Sequence, residues 1–108
     1  MKRGDVVIVA ERGALAGKPR PAVVVQSDAA PADARRITVA LITTGGIDAP
    51  LVRIPVLPDQ DNGLTQPSRI QTDRIATVSK ANVGQIIGTV HPTTMRSVAE
   101  ALRRWLAL

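Results

Sequence analysis

The chain has 108 residues, room for one domain with a modest core, and it holds no cysteine, one histidine (His91) and one aromatic residue, Trp105. Disulfides, thiolate catalysis, thiolate metal sites and a two-histidine acid/base pair are thereby excluded. Net charge is +5, with eleven arginines among fourteen basic residues. That balance points to an anionic partner such as nucleic acid or an acidic protein segment, unless it only aids solubility.

Hydrophobic residues make up 44% of the chain, nearly all of them Val, Ile, Leu and Ala. The core is therefore aliphatic, and its β-branched side chains favour sheet. No apolar run approaches roughly 18 residues and no export signal is present, so the expectation is a soluble, cytoplasmic protein away from the membrane.

In chain order, Asp5–Ala10 reads as the first strand. Glu11–Pro19 is a loop carrying Gly13 and Gly17, and Pro21–Ser27 is an apolar run suited to a buried strand. A polar loop around Pro31 leads to Arg36–Thr43, which alternates around Ile37, Val39 and Leu41. Thr44–Pro50, with Gly45-Gly46, is a loop, and Leu51–Leu57 is the next strand. Asp61-Asn62-Gly63 supplies turn chemistry with access to positive φ. Ser68–Gln71 and Arg74–Val78 read as two short strands, and Gly84–Val90 as the last. Strands this short and dense predict a small, strongly curved β-barrel.

The C-terminal segment has a different period. Pro92 suits a first helical turn, with His91 or Thr93 near the N-cap. Met95, Val98, Leu102, Trp105 and Leu106 then share one face, while Arg96, Glu100 and Arg104 form a charged row on the other. This helix is expected to pack on the barrel with Trp105 at its edge.

Chemistry concentrates at Gly17-Lys18-Pro19-Arg20-Pro21-Ala22-Val23-Val24-Val25. An arginine between two prolines is biased toward extended geometry at the mouth of a strand. Its planar, charged fork suits a phosphate or a carboxylate. Two readings are open: Arg20 clamps a ligand, or it pairs with Asp5 or another carboxylate and ties the loop down.

Together these segments resemble the MazF/PemK (Kid-like) toxins of bacterial toxin–antitoxin pairs, over nearly the whole length. The markers are Lys2-Arg3-Gly4-Asp5-Val6-Val7, Lys18-Pro19-Arg20-Pro21 with its valine run, and Leu41-Ile42-Thr43-Thr44-Gly45-Gly46. Asn62-Gly63-Leu64, the block from Ser68 through Gln71-Thr72-Asp73-Arg74-Ile75-Ala76-Thr77-Val78, and Val83-Gly84 with Ile87-Gly88 complete the order. The resemblance implies a mainly β, SH3-like barrel with a C-terminal helix, usually a homodimer. It implies a metal-independent endoribonuclease without cofactor that cuts single-stranded RNA, often mRNA, at short sequences. It also implies a cognate antitoxin whose acidic, partly disordered segment covers a basic RNA groove.

Metal-free RNA cleavage proceeds by 2′-hydroxyl attack on the neighbouring phosphate and needs a proton acceptor, charge stabilisation and a proton for the leaving oxygen. By the resemblance, Arg20 is the catalytic arginine, Thr43 (or the adjacent Thr44) the strand-end threonine, and Asp73 the acidic position that some relatives use as a base. Lys18, Thr44, Ser68, Arg69 and Gln71 are the remaining substrate-contact candidates. Kid-like members carry an arginine two residues before the acidic position; here Gln71 stands there, with Arg69 and Arg74 nearby. Duller roles remain open: a turn for Asp73, strand termini for Thr43, Thr44 and Ser68, and a cap or surface position for His91. The Gly45-Gly46 and Glu11–Pro19 loops are expected to flank the RNA.

A competing class is a non-catalytic, CcdB-like poison of DNA gyrase, acting through the C-terminal helix. Its Trp-Gly-Ile tail is only partly echoed by Arg104-Trp105-Leu106-Ala107-Leu108. A third is a plain SH3-like module that binds nucleic acid without cleaving it.

Overall fold

A computed structural model describes residues 1–10 and 18–108; the sequence expectations for 11–17, including Gly13 and Gly17, lie outside the described residues. Six strands form one antiparallel sheet: β1 (Asp5–Val9), β2 (Arg20–Val24), β3 (Arg36–Thr43), β4 (Arg53–Val56), β5 (Ser68–Ser79) and β6 (Val83–Thr89). A 3-10 turn at Lys80–Asn82 precedes β6, and the helix α1 (Pro92–Leu106) closes the chain. Spatial order is β4-β5-β3-β2-β1-β6, so β4 and β6 are edges and do not pair. The class is the expected one, mainly β with a C-terminal helix, but the barrel is not closed.

Alternation along the strands gives the sheet two apolar faces. One carries Val6, Val23, Ala40, Ile42, Ile54, Val56 and Ile70, onto which α1 sets Val98 and Ala101. The other carries Val7, Val9, Ala22, Val24, Ile37, Val39, Leu41 and Val78. The helix begins as expected: His91 is its N-cap, accepting at Nδ1 from Thr93 N at 3.1 Å, with Pro92 as the first helical residue. Met95 and Leu102 pack against the first cluster. Trp105 stays 52% exposed, and the charged row yields one ion pair, Arg104 Nη2 to Glu100 Oε2 at 3.9 Å.

Strands β1 and β6 end one residue before their sequence limits, and β2 and β4 fall short by more for hydrogen-bonding reasons. The β2 ladder ends at Val24 because the amides of Val25 and Gln26 share the Thr38 carbonyl and Gln26 Oε1 takes the Thr38 N–H. Before β4, Val52 N and Arg53 N both donate to Ala49 O, so Leu51 and Val52 belong to a turn.

The larger correction concerns β5. The two expected short strands are one continuous strand, irregular where Ala40 pairs with Ile75 but Leu41 pairs with Gln71. Thr72, Asp73 and Arg74 are thus extra residues on β5, a bulge that bends the strand. Partners on the β4 side anchor it: Thr72 N and Oγ1 both donate to Val52 O, at 2.9 and 2.5 Å.

The Asn62 turn docks beside β6. Asn62 is fully buried, its Nδ2 donating to Leu57 O and its Oδ1 accepting from Leu64 N. Gly63 has φ +70°, and an added Cβ there would lie 2.1 Å from Ile87 O, so only glycine fits this approach.

Candidate functional site

Arg20 opens β2 with its side chain exposed, and among the described residues it meets no carboxylate or other hydrogen-bond partner. It is paired across the sheet with Val9. Continuing the β2–β3 register from Ala22 opposite Leu41 sets Arg20 beside Thr43. On the far side of β3, Thr43 pairs with Arg69 of β5, and Arg69 with Pro55 of β4. Paired residues point to the same face, so Arg20, Thr43 and Arg69 form a cationic row at the rim of the second apolar cluster. Lys18, Arg20, Thr43 and Thr44 also line one surface depression of about 190 Å³, with Pro19, Pro21 and Ile42 as its apolar walls.

The local reasons are legible. Flanking prolines hold Arg20 extended. Thr43 ends β3 and its Oγ1 accepts from Gly45 N at 3.2 Å, which fixes the turn that follows. Gly46 takes φ +96°, and an added Cβ would lie 2.7 Å from Arg53 Nη1, so this turn rests on the Arg53 guanidinium.

Asp73 sits in the β5 bulge one row further along. It accepts from Arg53 Nε at 3.3 Å and from Arg53 Nη2 at 3.1 Å, a two-point ion pair with side chains 12% and 18% exposed. Gln71 lies directly opposite Arg53 and Leu41 and is buried.

The structure therefore brings Lys18, Arg20, Thr43, Thr44 and Arg69 together, with Gln71 and Asp73 adjoining them. It does not bring Ser68 to this group. Ser68 alternates to the helix-covered face, is 7% exposed, and donates its hydroxyl to Gln66 O. Arg74 is exposed on the bulge. Sequence reasoning missed Arg53. The available signal was weak: a charged residue inside the apolar run Leu51–Leu57, facing a carboxylate twenty positions later.

Among the described residues, Lys18, Arg20 and Arg69 meet no carboxylate; beside the Thr43 and Thr44 hydroxyls, their charged donors are of the kind that bind anionic oxygens. The class that the fold defines is a small, mainly β protein with a C-terminal helix. Comparison narrows it: the model of the PemK-like, MazF-like toxins of type II toxin–antitoxin systems matches residues 2–106, and the chain belongs to this family. It is 37% identical over 108 residues to a probable endoribonuclease MazF of Mycolicibacterium smegmatis, covering 100% of this chain and 98% of that one. Among solved structures, Mycobacterium tuberculosis toxin MazF-mt6 superimposes with TM-score 0.80 at 27% identity, covering 96% of this chain and 97% of that one. An endoribonuclease in complex with its cognate antitoxin, from a mycobacterial species, gives TM-score 0.79 at 25% identity, covering 100% and 96%.

Proposed function

We propose that this chain is a toxin endoribonuclease that cuts single-stranded RNA without a metal, by attack of a 2′-hydroxyl on the adjacent phosphate. The observation that carries the reading is the convergence of unpaired Arg20 with Thr43, Lys18 and Thr44 in one depression, with Arg69 beside Thr43. In the attack the 2′-oxygen bonds to phosphorus, negative charge grows on the non-bridging oxygens, and the bond to the 5′-oxygen breaks. The Arg20 fork stabilises that charge by two parallel N–H donors, and the Thr43 hydroxyl adds a third. Lys18 and Arg69 hold flanking phosphates.

Asp73 is the proposed acceptor of the 2′-hydroxyl proton. Arg53 takes one lone pair on each carboxylate oxygen, which leaves acceptor capacity on both. The leaving 5′-oxygen takes a proton from solvent water, to which Asp73 returns its own, so the products carry a cyclic phosphate and a 5′-hydroxyl. An arginine has no acceptor site, so Arg20 acts as an electrostatic clamp.

Two partners complete the proposal. A cognate antitoxin covers the site with an acidic, partly disordered segment, which suits three unpaired cations; a related chain was solved with its antitoxin. A second copy of the chain forms a homodimer, and a monomeric mass at micromolar concentration would refute that part.

The test is cleavage of a long, lightly structured RNA in excess EDTA. Wild type is expected to cut at a short motif and leave 5′-hydroxyl ends, and Arg20→Ala to lose about 100-fold or more in rate. Because Arg20 is exposed and unpaired, the variant keeps its fold. Undiminished cleavage by Arg20→Ala would remove Arg20 from the site. Gyrase-dependent DNA breaks insensitive to Arg20→Ala would instead support the CcdB-like alternative.

A further inference from the structure

Among the described residues, four polar ones are buried: Asn62, Ser68, Gln71 and Thr72. Three have their side chains answered internally. Asn62 bonds Leu57 O and Leu64 N, Ser68 bonds Gln66 O, and Thr72 bonds Val52 O. Gln71 is 4% exposed, yet among the described residues neither its amide oxygen nor its amide nitrogen meets a partner. An unmade hydrogen bond at a buried amide is a standing cost to the fold, so an orphan of this kind calls for an explanation.

Its neighbourhood supplies one. Gln71 shares a face and a register position with Arg53, whose Nη1 bonds nothing among the described residues and lies against Gly46. The charge of Arg53 is matched by Asp73, whereas Lys18, Arg20, Arg69 and Arg74 meet no carboxylate among the described residues. Phosphate is drawn to the unpaired cations. A neutral group with hydrogen-bonding edges is what an amide beside a neutralised guanidinium fits. A nucleobase presents adjacent donors and acceptors that glutamine reads with its own donor and acceptor.

We infer that Gln71, with Arg53 at the neighbouring position, reads one nucleobase of the RNA and sets part of the cleaved sequence. The inference rests on the ribonuclease reading above. The base approaches beside the turn through Gly45 and Gly46, where an added Cβ at Gly45 would meet nothing within 4 Å and the rim is open.

The experiment compares wild type, Gln71→Met and Gln71→Glu on short oligoribonucleotides varied one base at a time. Cleavage, equilibrium binding and thermal melting are read in parallel. Wild type is expected to prefer one base at one position, and Gln71→Met to lose about tenfold or more of that preference. Its melting temperature stays level or rises, because an unpaired buried amide has been removed. Gln71→Glu keeps the acceptor and loses the donor, and shifts the preference to another base. Unchanged base preference in Gln71→Met overturns the inference. So does a lower melting temperature with equal losses on every RNA, which marks a packing role. If wild type binds RNA but cuts none, the ribonuclease reading fails, and the binding profile alone then decides for or against Gln71.

Discussion

Replacing Asp73 by asparagine isolates the ion pair that anchors the β5 bulge. The substitution keeps shape and one acceptor, but leaves the Arg53 side chain, 12% exposed, with its charge unmatched. At 3.1 Å and an effective dielectric of ~20, the attraction being lost is about 5 kcal/mol before desolvation is subtracted. Removing one partner of a buried pair costs about 3–5 kcal/mol, and of an exposed pair about 1 kcal/mol or less. With exposures of 12% and 18% this pair lies nearer the buried limit, and the longer 3.3 Å bond is weaker than the other. The expected loss is about 2–3 kcal/mol, or about 10 °C in melting temperature for a chain this size. Urea unfolding followed by far-ultraviolet circular dichroism measures it. A cycle with Arg53→Met and the double variant should give a coupling near 2 kcal/mol, because the double variant has no orphaned charge. A loss below about 0.5 kcal/mol, or additive single effects, would show that the pair behaves as solvent-exposed and would refute the reasoning.

Gly63→Ala places a Cβ 2.1 Å from Ile87 O at φ +70°, and the same unfolding assay should register at least about 3 kcal/mol of destabilisation. Lys18→Ala touches an exposed, unpaired residue, so stability should hold while RNA binding weakens. The slope of log affinity against log salt should fall by about 0.7, the share of one phosphate contact on a single strand.

Local chemistry carried much of the fold in readable form. The span Arg36–Thr43 coincides with β3 because the alternation of Ile37, Val39 and Leu41 marks one face, with Ala40 and Ile42 buried on the other. Pro92 behind His91 marked the helix start through a missing N–H that needs no partner. What stayed hidden depends on pairing at a distance. Thr72-Asp73 read as a break between strands, since aspartate favours turns; in the fold they are a bulge held by Val52 in the turn before β4 and by Arg53 of β4. Closure of the barrel was inferred from strand density, which carries no information on whether the edge strands β4 and β6 meet.

At the site, Arg20 was legible because two prolines announced its geometry; among the described residues it meets no carboxylate, so it does not tie the loop down through Asp5. Thr43 stood out by the resemblance and by its place at a strand end. Ser68 was not assignable to a face until the register was known, and one residue of phase sends it to the helix side. Arg53 left almost no trace in sequence, since what matters about it is the carboxylate it faces.

The first strand of this chain is hydrogen-bonded to the last. Gly4 donates to Val24 O and accepts from Val90 N, and β1 pairs with β6 along Asp5–Val9. On a translating ribosome, the strands that carry the cationic row are all synthesised before residues 83–106. The outer edge of β1 stays open until β6 arrives, and the first apolar cluster, on the face opposite the row, is exposed until α1 covers it. Long-range closure of this kind is slow and comes late. A toxin built this way reaches its working form only after its own synthesis is nearly complete. A chain cut short before residue 83 would present a bare strand edge prone to aggregation.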